Sequence, residues 1–173
     1  PTRVAVAGVE TFPLMGKLDY PLFVGVNTPI PLLQERLASY RKARKDAGHS
    51  SLDNVALRIP VYVAETAEKA RSEPEASAMQ AIRYATTELI TTAASQETAD
   101  RLRRIATTPY EEILKQRVLF GTPDAVVDRL QEYQESLGIS GVVMEMNYGG
   151  RIPYGQVINS MRLLAEKVMP VFK

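Results

Sequence analysis

Residues 55–63 read VALRIPVYV, and this stretch decides the fold. Valine, isoleucine and tyrosine favour β-strands, and a nearly continuous apolar run is typical of a strand that is buried on both faces of a parallel sheet. Three other stretches share this character: residues 3–7 (RVAVA), 21–26 (PLFVGV) and 141–146 (GVVMEM). We therefore predict four strands in a parallel sheet, each buried on both faces.

Amphipathic helices are predicted between these strands. In residues 31–47, Leu33 and Leu37 recur at helical spacing, and Gly48 follows as a stop signal. In residues 122–137, Thr122 is an N-cap and Pro123 suits the first helical position. Two shorter helices are predicted over residues 10–18 and 154–168.

The interval between the third and fourth strands is too long for a single crossover helix. It predicts helices over residues 67–94, 96–106 and 110–116, the first interrupted by Pro74. We interpret residues 66–121 as a helical insertion, either a lid or a plain helical decoration, within one partial domain spanning residues 1–173. The alternation of strands and helices is typical of an α/β protein, either half of a (β/α)8 barrel or a compact doubly wound sheet.

Composition excludes several kinds of function. The 173 residues carry 21 basic and 20 acidic side chains, so we expect no nucleic-acid partner, and the basic run at residues 41–45 suits the C-terminal end of its helix. With no cysteine and one histidine, His49 in a predicted exposed loop, we expect no metal site. No apolar run of about 18 residues and no signal peptide appear, so we expect no membrane partner and a cytoplasmic location.

The first predicted strand leads into a turn that is suited to binding an anion. Gly8 and Val9 follow the strand, and Glu10 and Thr11 open the next helix. A glycine allows close approach, backbone N–H groups at the start of a helix attract anions, and the Thr11 hydroxyl adds a donor. Every strand-to-helix turn shares part of this pattern, so taken alone it is a weak indication of a phosphate site.

Longer stretches resemble the luciferase-like flavin-dependent monooxygenases. They read NVALRIPVYVAET from Asn54, VLFGTPDAVVDRLQEY from Val118, GVVMEMNYGG from Gly141 and SMRLLAEKVMPVF from Ser160. Two stretches near the start of the chain are also similar to the family: VAVAGVETF from Val4 and DYPLFVGVNTPIPLLQERLASYRKARKDAGH from Asp19. The resemblance implies a TIM (β/α)8 barrel of which this chain is only the C-terminal half, strands 5 to 8, with a helical insertion before the last crossover helix.

The resemblance also implies a function. Members of the family use reduced FMN, supplied by a flavin reductase, and O2 to oxidise a small organic substrate, and some branches use a deazaflavin. The chain would then be half of a flavin-dependent monooxygenase. Two alternatives remain: a non-catalytic flavin-binding or structural half-barrel relative, and a deazaflavin-dependent oxidoreductase of the same fold. An open half-barrel also predicts a homo-oligomer or pairing with the missing half.

Few site residues carry over from the family. The resemblance places the flavin phosphate at residues 8–11, with Gly8 offering its backbone and Thr11 its hydroxyl. Ala7 stands where the family has an acidic residue. Arg117 is similar to an arginine that some members bring over the active site, so we expect it to be a lid residue, and no other catalytic residue is assigned.

Overall fold

The computed structural model describes residues 2–25, 28–51, 53–93 and 95–172. The strands are β1 (Val4–Ala5), β2 (Leu22–Gly25), β3 (Val55–Val63), β4 (Leu119–Gly121) and β5 (Gly141–Glu145). The helices are α1 (Thr11–Lys17), α2 (Ile30–Asp46), α3 (Ala67–Ser72), α4 (Glu75–Thr91), α5 (Gln96–Ala106), α6 (Tyr110–Gln116), α7 (Pro123–Leu137) and α8 (Tyr154–Leu163). Val26 and Ala94, which the predicted elements included, lie outside the described residues.

The contacts divide the chain into two compact units. The first contains the chain up to Ile59 together with Asp128–Met144, and the second contains Pro60–Val127 together with the chain from Glu145 onward. Strand β3 contributes its beginning to the first unit and its end to the second. That residues 1–173 form one partial domain stays a prediction.

In the first unit, β1 pairs in parallel with β2, and β2 pairs in parallel with β3. Strand β5 pairs with β3 on its other side, where the Ser140 amide donates to the Val55 carbonyl over 2.9 Å. The fold is therefore α/β with a parallel sheet, as predicted. One face of this sheet is well buried and carries aliphatic side chains: Val6, Leu22, Val24, Val55 and Leu57.

The other face of the same sheet corrects the prediction that every strand is buried on both faces. Ala5 and Ala7 are exposed, and Phe23 and Gly25 are only half-buried. Strand β3 alone is buried on both faces along most of its length, although Arg58 is exposed. The apolar character of β1, β2 and β5 therefore predicted the strands correctly but overestimated how completely they are covered.

The second unit holds the helices of the predicted insertion and one strand that the sequence pattern missed. Residues 119–121 form β4, which pairs in parallel with the end of β3. Three residues are too few to show the alternation of apolar and polar side chains that identifies a strand, so the sequence pattern does not predict β4 between its two flanking helices. Pro74 separates α3 from α4, as predicted. Within the described chain, no helix has the length and apolar character needed to cross a membrane.

The last helix differs in detail from its prediction. Helix α8 continues as a π-helical turn, Leu164–Val168, and a 3-10 turn, Met169–Phe172. The helical spacing predicts that Val157, Met161, Leu164 and Val168 face inward; Leu164 and Val168 are buried and Val157 is half-buried, whereas Met161 is exposed. Ser160 is buried in its place, and its hydroxyl accepts a 2.7 Å hydrogen bond from the Val63 amide, which ties α8 to β3.

Candidate functional site

The turn after β1 brings Gly8, Glu10 and Thr11 together. The Thr11 amide donates to the Gly8 carbonyl over 3.1 Å, and Glu10 stands at the N-cap of α1 without a side-chain cap bond. A Cβ on Gly8 would lie 2.7 Å from Glu10 Oε1 and 3.3 Å from Thr11 Oγ1. Glycine therefore leaves open the space that the carboxylate and the hydroxyl border, while the Val9 side chain is exposed.

Arg36 is the residue of this region that sequence reasoning missed. From α2, its Nη1 atom donates to the Ala7 carbonyl over 3.0 Å and to Thr28 Oγ1 over 3.1 Å. Its guanidinium carbon lies 5.9 Å from the centroid of the Phe12 ring, next to Thr11 in the chain. Nothing in the sequence distinguishes Arg36 from the other charged residues of α2, because only the fold brings it beside the turn.

The electrostatics of the turn are mixed. The half-buried Arg36 supplies a positive charge, and among the described residues its Nε atom is buried without a hydrogen-bond partner. Within the described chain, the amides of Val9 and Glu10 also donate no hydrogen bond. The exposed Glu10 carboxylate carries the opposite charge into the same space. Three features therefore favour a phosphate at this turn: the free amides, the Thr11 hydroxyl and Arg36. One feature, the Glu10 carboxylate, opposes it.

The seven-residue length of α1 limits the contribution of its dipole. Support for a phosphate at this turn therefore comes from the side chains and the free amides. Glu10 does not block the turn permanently, because its side chain is exposed and other staggered rotamers would take the carboxylate out of this space.

Arg117 belongs to the second unit, where it ends α6. Its amide donates to the Ile113 carbonyl over 2.9 Å, and the residue is half-buried. Burial lowers the pKa of the Arg117 guanidinium from its ordinary value, and the neighbouring Tyr148 works in the opposite direction. Arginine remains charged under these conditions. Arg117 is therefore a partly desolvated cation, which suits the recognition of an acidic group.

The loop after β5 is fastened to α4 at Ser77. The Ser77 hydroxyl donates to the Tyr148 carbonyl over 2.7 Å and accepts from the Arg151 amide over 3.0 Å. Gly149 has a φ of +88°, and a Cβ there would lie 2.8 Å from the Ser77 carbonyl carbon. The loop therefore approaches the α4 backbone too closely for any residue with a side chain. This contact fixes Tyr148, the neighbour of Arg117.

The helices of the insertion have a core of their own. Its buried members are Ala78, Ile82, Tyr110, Ile113 and Val118, and Tyr148 packs against them. The Tyr110 hydroxyl donates to the Arg71 carbonyl over 2.7 Å, and the buried Tyr62 hydroxyl donates to Glu73. Burial raises the pKa of both tyrosines. The insertion is thus a packed helical layer.

The single histidine, His49, lies against the end of α1. His49 Nε2 lies 2.9 Å from the Lys17 carbonyl oxygen, and its side chain, predicted to lie in an exposed loop, is partly covered. Nearby, the buried Arg44 binds Asp19 and Ser51. In the described part of the chain, no cluster of three metal-binding side chains occurs.

Comparisons with known proteins place this geometry in context. The family model described as luciferase-like monooxygenase matches residues 1–140. A search of curated protein sequences finds no match. Among solved structures, the monooxygenase RslO1 from Streptomyces bottropensis is 20% identical with a TM-score of 0.69, over 98% of this chain and 47% of that one.

Two further solved structures share the fold. The oxygenating constituent of 3,6-diketocamphane monooxygenase from Pseudomonas putida, in complex with FMN, is 18% identical with a TM-score of 0.68, over 92% of this chain and 44% of its own. The coenzyme F420 dependent tetrahydromethanopterin reductase from Methanopyrus kandleri is 16% identical with a TM-score of 0.66, over 100% of this chain and 51% of its own. The chain thus spans about half the length of these structures.

Proposed function

The chain belongs to the luciferase-like monooxygenase family, and on that premise we propose that it is the C-terminal half, strands 5 to 8, of a flavin-dependent monooxygenase barrel. The whole enzyme would use reduced FMN, delivered by a flavin reductase in the cytoplasm, and O2 to oxidise a small organic molecule. The observation that carries this proposal is the family match over residues 1–140.

The flavin would supply the oxygen chemistry, and the protein would bind and orient it. We propose that the turn at residues 8–11 holds the flavin phosphate: the Thr11 hydroxyl and the amides around Gly8 donate hydrogen bonds. Arg36 holds the turn through its bond to Ala7 O and adds a positive charge. Glu10 must swing away when the phosphate enters.

Arg117 is the candidate for substrate recognition within this proposal. A half-buried guanidinium gains more from an acidic partner than an exposed one does, because water competes less for it. An acidic substrate, such as a sulfonate or carboxylate, would therefore bind more weakly to an Arg117→Met variant, whereas an uncharged aldehyde would bind equally well.

A deazaflavin-dependent oxidoreductase is the second candidate function. One structural neighbour is a coenzyme F420 dependent reductase with a TM-score of 0.66, so the fold serves both cofactors. The phosphate turn suits either one, since both FMN and F420 carry a phosphate. The remaining alternative is a half-barrel relative that binds flavin without catalysis or is only structural. It differs from both enzymes in showing no substrate-dependent turnover.

Titration of the 15N-labelled chain with FMN, riboflavin and F420 tests the phosphate site. We expect weak FMN binding that shifts the amide signals of Gly8 and Thr11, and no such shift with riboflavin, which lacks the phosphate. Loss of one hydrogen bond in Thr11→Ala costs about 1 kcal/mol, or about fivefold in affinity. Glu10→Gln should strengthen binding up to about fivefold, since like charges about 4 Å apart in water repel by about 1 kcal/mol.

The exposed Thr87 of α4 supplies the matched control, because Thr87→Ala also removes a hydroxyl but lies in the other unit. Equal shifts with FMN and riboflavin, or equal affinities for the Thr11 and Thr87 variants, would disprove the phosphate assignment. Preference for F420 over FMN would favour the second function. Binding without substrate-dependent turnover, with flavin reductase present, would favour the non-catalytic alternative.

A further inference from the structure

One row of residues crosses the sheet of the first unit at the level where the phosphate turn begins. The backbone hydrogen bonds between β1 and β2 place Ala7 beside Gly25, and Gly25 is paired with Arg58 on β3. Ala7 is the last residue before the turn at residues 8–11, and Gly25 is the last residue of β2. Because paired residues share a face of a sheet, Arg58 is a charged residue on the same face as Ala7 and Gly25.

This row has an unusual composition for its place in the proposed barrel. The helices of a (β/α)8 barrel lie outside the strands, so the well-buried face of this sheet is the helix side and the row lies on the side that lines the interior. Barrel interiors are normally filled by bulky branched side chains, whereas this row holds an alanine, a glycine and an arginine. Active sites lie at the C-terminal ends of the strands, which is where β1 and β2 end. Small residues beside a cation at this position suit an anionic ligand.

A second arginine shows how far a guanidinium reaches across this sheet. In the row four residues earlier, Arg3 lies beside Pro21, and Pro21 lies beside Asn54. Arg3 Nη2 donates to Asn54 Oδ1 over 2.8 Å, although β2 lies between them. Neighbouring strands are about 4.8 Å apart, so these two side chains bridge about 10 Å between their backbones. Arg58 needs the same reach, in the opposite direction, to bind a group that stands on the turn after β1.

The phosphate turn needs a further positive charge. A phosphate monoester carries about −1.5 to −2 charges at pH 7. The Glu10 carboxylate adds a negative charge to the same space. Arg36 supplies one positive charge, and its guanidinium already donates to the Ala7 carbonyl and to Thr28. A second guanidinium would offset Glu10 and would bind two phosphate oxygens at once.

We propose that Arg58 is a phosphate-binding residue, whose guanidinium reaches over Gly25 to the turn at residues 8–11 and binds the flavin phosphate there. The inference rests on the proposed function, because it requires a phosphate at this turn. It adds a residue from β3 to a site that otherwise consists of the β1 turn and Arg36. The absence of a side chain at Gly25 keeps the path between Arg58 and the turn clear.

Titration of the full 15N-labelled chain with FMN and with riboflavin tests this role. Arg58→Met removes the charge and keeps an unbranched apolar stem. It should weaken FMN binding about tenfold, as expected for the loss of a charged hydrogen bond, and should leave riboflavin binding unchanged. Arg58→Lys should recover part of the loss, because it restores the charge without the paired donors. FMN binding to the unmodified chain should also weaken more steeply with added salt than binding to Arg58→Met.

Gly25→Val separates the reach of Arg58 from its charge. A Cβ at Gly25 meets nothing within 4 Å, and valine favours strands, so this variant should fold. Its branched side chain would stand between Arg58 and the turn, so it should weaken FMN binding several-fold while riboflavin binding stays the same. Arg162→Met is the matched control, since Arg162 is an exposed arginine of α8 in the other unit, and its loss should not change FMN affinity.

The outcomes distinguish this inference from the phosphate site itself. If the unmodified chain prefers FMN to riboflavin and Arg58→Met keeps that preference in full, the inference is overturned and the phosphate site stands. Equal losses of FMN and riboflavin affinity, or an equal loss of FMN affinity in Arg162→Met, would show a general effect of folding or charge and would also overturn it. Equal binding of FMN and riboflavin by the unmodified chain would overturn the phosphate site and the inference together.

Discussion

Replacing Gly149 by alanine is the sharpest test of the contact between the β5 loop and α4. A new Cβ would lie 2.8 Å from the Ser77 carbonyl carbon, against an optimum of about 3.5–4.0 Å between carbon atoms, so the loop must retreat by about 1 Å. That retreat breaks the two hydrogen bonds of the Ser77 hydroxyl, worth about 1 kcal/mol each. The positive φ adds about 1–2 kcal/mol.

Gly150 is the natural control for this substitution. Its φ is +72°, close to that of Gly149, but a Cβ there meets nothing within 4 Å. Gly150→Ala should therefore cost only the backbone term of about 1–2 kcal/mol, whereas Gly149→Ala should cost about 3–4 kcal/mol. The difference of about 2 kcal/mol comes from the approach of the loop to α4 alone.

Amide hydrogen exchange at Arg151 is the appropriate assay, because this amide donates to the Ser77 hydroxyl. It reports the local opening of this loop within the second compact unit, separately from the unfolding of the first. A loss of about 2 kcal/mol corresponds to exchange about 30-fold faster in Gly149→Ala than in Gly150→Ala. Equal exchange rates in the two variants would refute the reasoning.

Three other predictions concern stability. Arg44→Leu removes a buried guanidinium that donates to Asp19 and to Ser51, and should cost about 2–3 kcal/mol in urea unfolding. Lys42→Leu, whose ion pair is exposed, should cost under about 1 kcal/mol. Burial raises the pKa of Tyr62, so its contribution to stability should be constant up to about pH 10 and fall above it; Tyr62→Phe should reduce the slope of stability against pH there by about 1.4 kcal/mol per pH unit. Gly16→Ala, 3.0 Å from the Ala43 Cβ, should lower the melting temperature, and Gly155→Ala, which meets nothing, should raise it.

Local sequence signals predicted the elements well where they act within a few residues. Pro74 interrupts the insertion, and the Thr122 hydroxyl accepts from the Ala125 amide over 3.4 Å at the start of α7. The sequence also predicts a buried stripe along α7 at Val126, Val127, Leu130, Tyr133 and Leu137, and all of these are buried except Val127, which is half-buried. Caps and periodic stripes depend on neighbours along the chain, so the sequence alone reveals them.

The basic run at residues 41–45 shows where such reasoning stops. Its position late in α2 suggested that it complements the dipole of its own helix, and Arg44 and Lys45 do lie in the last turn of α2. Arg41 has a further role: it donates over 2.7 Å to the Leu137 carbonyl and over 3.1 Å to the Gly138 carbonyl, so it caps the end of α7. Arg36 is a similar case at the phosphate turn. Both guanidinium groups act on elements distant in the chain, and no local pattern identifies their partners.

The uncovered face of the sheet did leave a trace in the sequence. Along the chain of β1 and β2, the buried positions hold Val6, Leu22 and Val24, while the alternate positions hold Ala5, Phe23 and Gly25. An alanine or glycine buries much less apolar area than a valine or leucine, so Ala5 and Gly25 contribute less to the stability of the unit than the buried positions do. Small residues at alternate strand positions therefore anticipate the exposed face, because they could never have supplied a core there. Phe23 gives no such signal, since its size alone predicts burial and only the fold leaves it half-buried.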